Sequence, residues 1–196
     1  MYSRRHPSPS PPLSRASLVL GLYGAMALVG LLISAGRGTP DVLGATVQPR
    51  WWLAIGIPVG AVAGLAVVVL TQAATKRFEW ARMLHNSFKN LLGPLTGSEI
   101  VILALASSVG EEVMFRGALM PWLGIWIQAG VFALLHVGPG KRFVPWTAMA
   151  LAMGLVFGLL AQVTHNLGAP IAAHFMINFL NLKFIVAPMR SVRARL

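Results

Sequence analysis

Cysteine is missing from all 196 residues. That excludes disulfides, thiolate nucleophiles and cysteine-ligated metals, and it leaves the redox compartment without a marker. Charge is also scarce. Asp, Glu, Lys and Arg make up 11% of the chain, against about 25% in an ordinary soluble domain. Acidic residues are the scarcest, five against sixteen Lys and Arg, which gives a formal net charge of +11. Basic chains often bind nucleic acid. Here the cations fall in short stretches between apolar blocks. Orientation in a membrane accounts for them, and no nucleic-acid partner is expected.

What the chain does have is apolar sequence, 56% of its residues. Six blocks stand out, at roughly 17–36, 51–73, 98–119, 122–138, 145–164 and 168–187. Each approaches the ~20 residues a helix needs to cross ~30 Å of hydrocarbon. The expected fold is all-α, a polytopic transmembrane bundle of about six spans. Residues 74–97 differ. They mix Lys76, Arg77, Arg82 and Lys89 with Phe78, Trp80, Leu84, Phe88 and Leu91, as an amphipathic helix on the membrane surface would. Basic residues precede the first block, but its apolar core exceeds the 7–15 residues of a signal peptide, so it reads as a retained anchor.

The expected organisation is a disordered basic tail over 1–16, then two spans and the interfacial helix over 17–97. A four-helix membrane core carrying the chemistry follows over 98–188, with a basic tail over 189–196. With the N-terminus in the cytoplasm, thirteen cations fall inside and only Arg37, Arg50 and Arg116 outside, a positive-inside bias that puts both termini in the cytoplasm. Trp51, Trp52, Trp122, Trp126 and Trp146 fall near expected span ends, as an interfacial aromatic belt requires.

Two of the five acids, Glu111 and Glu112, are adjacent inside the third block. A mid-membrane carboxylate costs about 2.5–3.5 kcal/mol, so such residues are functional candidates. Arg116, four residues on, shares a helix face with Glu112 and can pair with it. Glu111 is rotated about 100° away and has no partner in its own helix. It is therefore the carboxylate free for chemistry, with Glu112 and Arg116 as its support. Later blocks place Phe132 with His136, and His174 with Asn178, each pair four apart on one face. Peptide hydrolysis needs an activated water and donors to the oxyanion. Glu111 with His136 can supply the first, and His174 with Asn178 the second. Glu111, His136 and His174 could alternatively ligate zinc, although the usual His-Glu-x-x-His helix is absent.

These residues resemble the three motifs of the CPBP family, which groups CAAX prenyl endopeptidases with bacteriocin-processing and immunity proteins. Glu111-Glu112 to Arg116 is similar to EExxxR, Phe132 to His136 to FxxxH, and His174 to Asn178 to HxxxN. Asn166 to Ile171 also resembles the stretch preceding the third motif. The likeness covers roughly residues 98–182. It implies intramembrane proteolysis. Glu111 and His136 would activate water, and His174 and Asn178 would stabilise the oxyanion, by a metalloprotease or a metal-free glutamate mechanism. Eukaryotic members have eight spans, so this shorter chain offers less scaffold for a large prenylated substrate. In a bacterial cell membrane, without protein prenylation, the partner would be another membrane-associated peptide or membrane protein.

Two other functions compete: a silent peptide-binding immunity protein, and a proton-coupled transporter. The transporter expects a polar path and an internal repeat, and the first two blocks offer no polar residue for one. His165 and Asn166 read as an exposed loop pair, His85 as part of the surface helix, His6 as tail, and Glu99 and Asp41 as span edges. Asn181 is a candidate for lining the same cavity, Gln128 for an interhelical hydrogen bond, and Gly154 with Gly158 for close helix packing. One tension remains. The expected span ends put Glu111 and His174 nearer the outer side and His136 nearer the inner, a mismatch approaching ~10 Å. Tilt, or a fourth helix ending beyond His136, would remove it.

Overall fold

The structure, a computed structural model, describes residues 14–44 and 50–187. The expected tails, with His6 and the outermost arginines, and the side chains of Arg50 and Trp51 lie outside the described residues. The described chain is all-helical: α1 (Arg15–Gly36), α2 (Arg50–Arg77), α3 (Glu79–Leu92), α4 (Gly97–Glu112), a π-helical segment (Val113–Leu119), α5 (Met120–Leu134), a 3-10 turn (Lys141–Phe143), α6 (Val144–Thr164) and α7 (Gly168–Val186). Among the described residues, five segments are long and apolar enough to cross a membrane: 15–36, 52–77, 97–134, 141–164 and 168–186. The protein is an integral membrane protein.

Its outer surface is apolar and its interior carries the small and polar residues, as lipid solvent dictates. Leu32, Val62, Leu70 and Trp122 face outwards, while Ala104, Ala129, Ala169 and Ala173 are buried. Small residues set the closest helix contacts. A Cβ on Gly60 would run into the Ala169 carbonyl, and one on Gly64 would lie 2.6 Å from Ala173 O. The α2–α7 seam is thus a glycine-alanine contact. Gly154 and Gly158 do the same for α6 against α5, where a Cβ would lie 2.9 Å from Ala129 and 2.7 Å from Ile125.

Helix ends follow local chemistry. Thr96 opens α4 with a capping box: its hydroxyl accepts from Glu99 N at 3.2 Å, and Glu99 Oε2 accepts from Thr96 N at 2.8 Å. Glu99 therefore has a structural task. α2 runs on to Arg77, so residues 74–77 belong to it rather than to the surface helix. Phe78 then turns extended and α3 starts. Leu84 and Phe88 on the apolar side of α3 line the central cavity, with the exposed Trp80 at its edge. Arg15 donates to Leu92 O and Pro94 O, and Lys89 to Ala187 O. These bonds tie α1 and the C-terminal end of α7 to α3 and place Arg15 and Lys89 at one end of the bundle.

The third and fourth apolar blocks form one 38-residue element, Gly97–Leu134, and its reversal falls later than the sequence suggests. The helix does not stop at 119. The segment Val113–Leu119 is π-helical, and Met120 N bonds to Phe115 O five residues back. Pro121, which lacks an N–H, sits just after this widened turn. The break comes at Gly124, with φ 74° and ψ 169°, a conformation only glycine adopts readily. Ile125–Leu134 is then too short to span alone. The segment 135–140 completes the return to the α3 end, where Phe143 meets Phe88 at 5.1 Å. Glu111 lies thirteen residues before Gly124 and His136 twelve after it. Moving the turn to Gly124 therefore removes the depth mismatch.

Candidate active site

The two adjacent carboxylates end α4, where the chain passes into the π-helical segment. Such bulges often mark functional sites. Glu112 is 0% and Arg116 2% exposed. Arg116 Nη1 donates to Glu112 Oε1 at 2.9 Å. Its Nη2 reaches Gly154 O at 3.3 Å. The guanidinium carbon lies 4.5 Å from the centre of the Phe132 ring and 5.2 Å from that of Phe157, a cation–π cage within the bundle. Gln128 Nε2 also donates to Gly154 O, at 3.0 Å, so α6 is tied to two other elements through one carbonyl. This is the interhelical bond expected of Gln128.

Glu112 holds the third motif as well. Its Oε1 lies 2.8 Å from His174 Nδ1. Glu111 stands apart from that network. It is buried, and its Oε2 has no hydrogen-bond partner among the described residues. That oxygen lies 3.7 Å from His136 Nε2 and 3.8 Å from His174 Nε2. His136 Nδ1 is 2.7 Å from the Phe132 carbonyl. A carbonyl only accepts, so Nδ1 is the donor in this bond, and Nε2 is the ring nitrogen turned to Glu111. The Phe132 ring lies tilted against His136, with centroids 4.2 Å apart. On α7, Asn178 Nδ2 donates to Ser107 Oγ at 2.9 Å. Its second N–H stays available.

The structure thus gathers Glu111, His136, His174 and Asn178 around one cavity of about 340 Å³. Phe132, Glu112 and Arg116 form its support. Other elements complete the walls. Tyr23 of α1 lines the cavity, its hydroxyl interacting with Glu111. Thr71 of α2 also lines it. The expectation of no polar contribution from the first two blocks is therefore corrected: an aromatic or a threonine inside an apolar run gives no sign of facing inwards. Gly110 is the signal that could have found Tyr23, since a Cβ there would lie 2.7 Å from Tyr23 O.

Asn181 lines the cavity. So does His85, edge-on to Phe184 at 4.9 Å. Burial first, and then Lys89 one turn on, hold the His85 imidazole below its ordinary range, so it is neutral at pH 7. Trp146 packs on His136 at 5.2 Å, inside the cavity rather than only in an interfacial belt. The expected exposed pair divides. His165 is exposed and left-handed, at φ 52°. Asn166 is buried, donates to Thr164 O at 2.6 Å and accepts from Gly168 N at 2.8 Å. It caps the first turn of α7, whose N–H groups have no helical partner.

Two imidazoles and a carboxylate are a donor set that zinc uses. Among the described residues, no three His, Cys, Asp or Glu side chains are gathered to hold a metal ion. The second nitrogen of His174 is engaged by Glu112 and that of His136 by a carbonyl.

Residues 94–180 match the family model described as type II CAAX prenyl endopeptidase, Rce1-like. That agrees with the CPBP resemblance of the three motifs, all of which fall inside the matched segment. The chain is also 34% identical over 79 residues to "Uncharacterized protein YpbD" of Bacillus subtilis (strain 168). That stretch is 40% of this chain and 41% of the relative, so the match spans about two fifths of the length of each. No solved structure matches the chain.

Proposed function

We propose that this protein is an intramembrane endopeptidase that cuts membrane-associated or CAAX-like peptides with a water activated by Glu111. The observation that carries the reading is the Glu111 carboxylate. It is buried, its Oε2 is unsatisfied, and two imidazole nitrogens face it at 3.7 and 3.8 Å across a cavity. A gap of that size suits a bridging water.

In this mechanism Glu111, with the His136 Nε2 lone pair, takes a proton from water as the oxygen adds to the scissile carbonyl carbon. The oxyanion accepts from the free Asn178 N–H and from His174 Nε2–H. Glu112 supports the protonated form of His174 through Nδ1. The proton on Glu111 then passes to the leaving nitrogen as the C–N bond breaks, which returns the carboxylate. A general base contributes typically about 10²–10⁴-fold, and an oxyanion donor about 10²–10³-fold.

The end bearing α3 and its cations faces the cytoplasm in this reading, in accord with the positive-inside rule. The membrane is then a bacterial cell membrane. The test is Glu111→Gln and Glu111→Ala in purified protein on a peptide library, with metal analysis of the same sample. Loss of cleavage in both variants with retained folding is expected. Equal cleavage by wild type and both variants would overturn the reading. A requirement for stoichiometric metal would transfer water activation from Glu111 alone to a bound ion.

A further inference from the structure

The cavity contains a second polar centre that bond cleavage leaves unused. Asn181 lies seven residues beyond His174 on α7, two turns along the same face, and both side chains line the cavity. The separation along the helix is about 10 Å. The Thr71 hydroxyl of α2 lies 3.2 Å from Asn181 Oδ1 and 2.9 Å from Val68 O, so its one proton is shared between the two acceptors. Thr71 thus pins one end of the asparagine amide. The other end, Nδ2, has no partner among the described residues. On the neighbouring turns the cavity is lined by the apolar Ala74, Leu182 and Ile185, with Thr75, whose hydroxyl donates to Thr71 O, and His85.

A polar side chain oriented by one neighbour, with its amide nitrogen unpaired in a largely apolar wall, matches a specific ligand group. A peptide entering such a site leaves water, and each main-chain N–H and C=O it brings must find a partner. An extended chain advances about 3.3 Å per residue, so 10 Å corresponds to about three residues. We propose that Asn181, held by Thr71, is a hydrogen-bonding subsite for one main-chain amide of an extended peptide, about three residues from the bond that is cut. The placement of that bond rests on the endopeptidase reading. Substrate therefore lies along α7, between the Glu111 cluster and α3. Side chains near that amide face Trp80, Leu84 and Phe88 of α3, which favours apolar residues there.

The test is a cycle between protein and substrate. The probes are fluorescein-labelled apolar decapeptides in which one amide at a time is replaced by an ester, which removes the N–H and weakens the carbonyl as an acceptor. Binding is read by anisotropy on the full chain carrying Glu111→Gln, and cleavage on the chain with Glu111 intact. With Asn181 present, one ester position should weaken binding about fivefold, the effect of one net hydrogen bond. The same position should raise KM and leave kcat unchanged. Asn181→Leu should lose the same factor with the all-amide peptide and become indifferent to that ester. Thr71→Val, which unpins Asn181 without removing it, should give a smaller loss at the same position and serves if Asn181→Leu fails to fold. The subsite is overturned if no ester position is singled out, if the variants bind as tightly as the parent, or if no peptide binds. Binding with the expected pattern but no cleavage by the Glu111 protein would uphold the subsite and sink the endopeptidase reading instead.

Discussion

Residues 94–180 and residues 14–92 are made of similar apolar helices, yet they differ in what they bury. Among the described residues, Ser107, Ser108, Glu111, Glu112, Arg116, Gln128, Thr164, Asn166 and His174 are buried within the first segment, whereas Ser34 is the one buried polar residue in the second. The segment that matches the family model therefore holds most of the buried polar groups. The other supplies walls: Tyr23 beside Glu111, Thr71 beside Asn181, and α3 across the cavity. A site can thus keep its reactive groups in one stretch while an unrelated stretch shapes what reaches them.

The largest expected effect tests that division directly. Glu111→Gln should lower the cleavage rate by on the order of 10³-fold, with the thermal unfolding midpoint in detergent unchanged or raised, because an unsatisfied buried carboxylate oxygen is removed. Retained turnover would leave the polar cluster as packing only. Next comes the support. Arg116→Met strands Glu112 in the bundle and should cost about 3–5 kcal/mol of stability. Pairing it with Glu112→Gln should recover much of that loss. Chemical unfolding of the two single variants and the double measures the coupling.

The helical spacing of the motifs made the site legible in advance. Glu112 with Arg116, Phe132 with His136 and His174 with Asn178 each sit four apart, so their shared faces follow from the helix period. Their convergence on one cavity depends on the turn at Gly124, and that was hidden. Pro121 and the gap between apolar blocks marked a boundary, whereas the π-helical segment let the chain carry the helix past it. Asn166 was hidden for another reason: nothing in a His-Asn dipeptide says which side chain turns inwards to cap α7. Tyr23 and Trp146 lay in apolar runs, where only tertiary packing separates a cavity wall from a lipid-facing residue, whereas Asn181, three residues beyond Asn178, was within reach of the helix period.

The wall segment offers smaller handles. Gly60→Val would drive side-chain atoms into Ala169 and part α2 from α7, at an overpacking cost of about 1–3 kcal/mol. Activity should fall with stability, since α7 carries His174 and Asn178. Tyr23→Phe removes one hydroxyl at Glu111 and keeps the packing. A rate loss of about tenfold is expected, the effect of a hydrogen bond to a charged group, with unfolding unchanged. A rate equal to wild type would confine the chemistry to residues 94–180 and make α1 a scaffold.

The smallest expected effect separates lipid from protein on a single helix. Val68 is 3% exposed and packs with Phe157, Ala173 and Ile177. Val62 is 69% exposed on the same α2. Valine to alanine removes the same two methyls at either position. At Val68 it opens a void in a packed interior, with an expected loss of about 2 kcal/mol. At Val62 acyl chains close over the smaller side chain in the folded and dissociated helix alike. Lipid is as apolar as the methyls it replaces, so the loss should stay within about 0.5 kcal/mol. Unfolding of both variants in lipid nanodiscs gives the two numbers. Equal losses would mean that protein, rather than lipid, covers the outer face of α2, and the wall segment would then have an interior of its own.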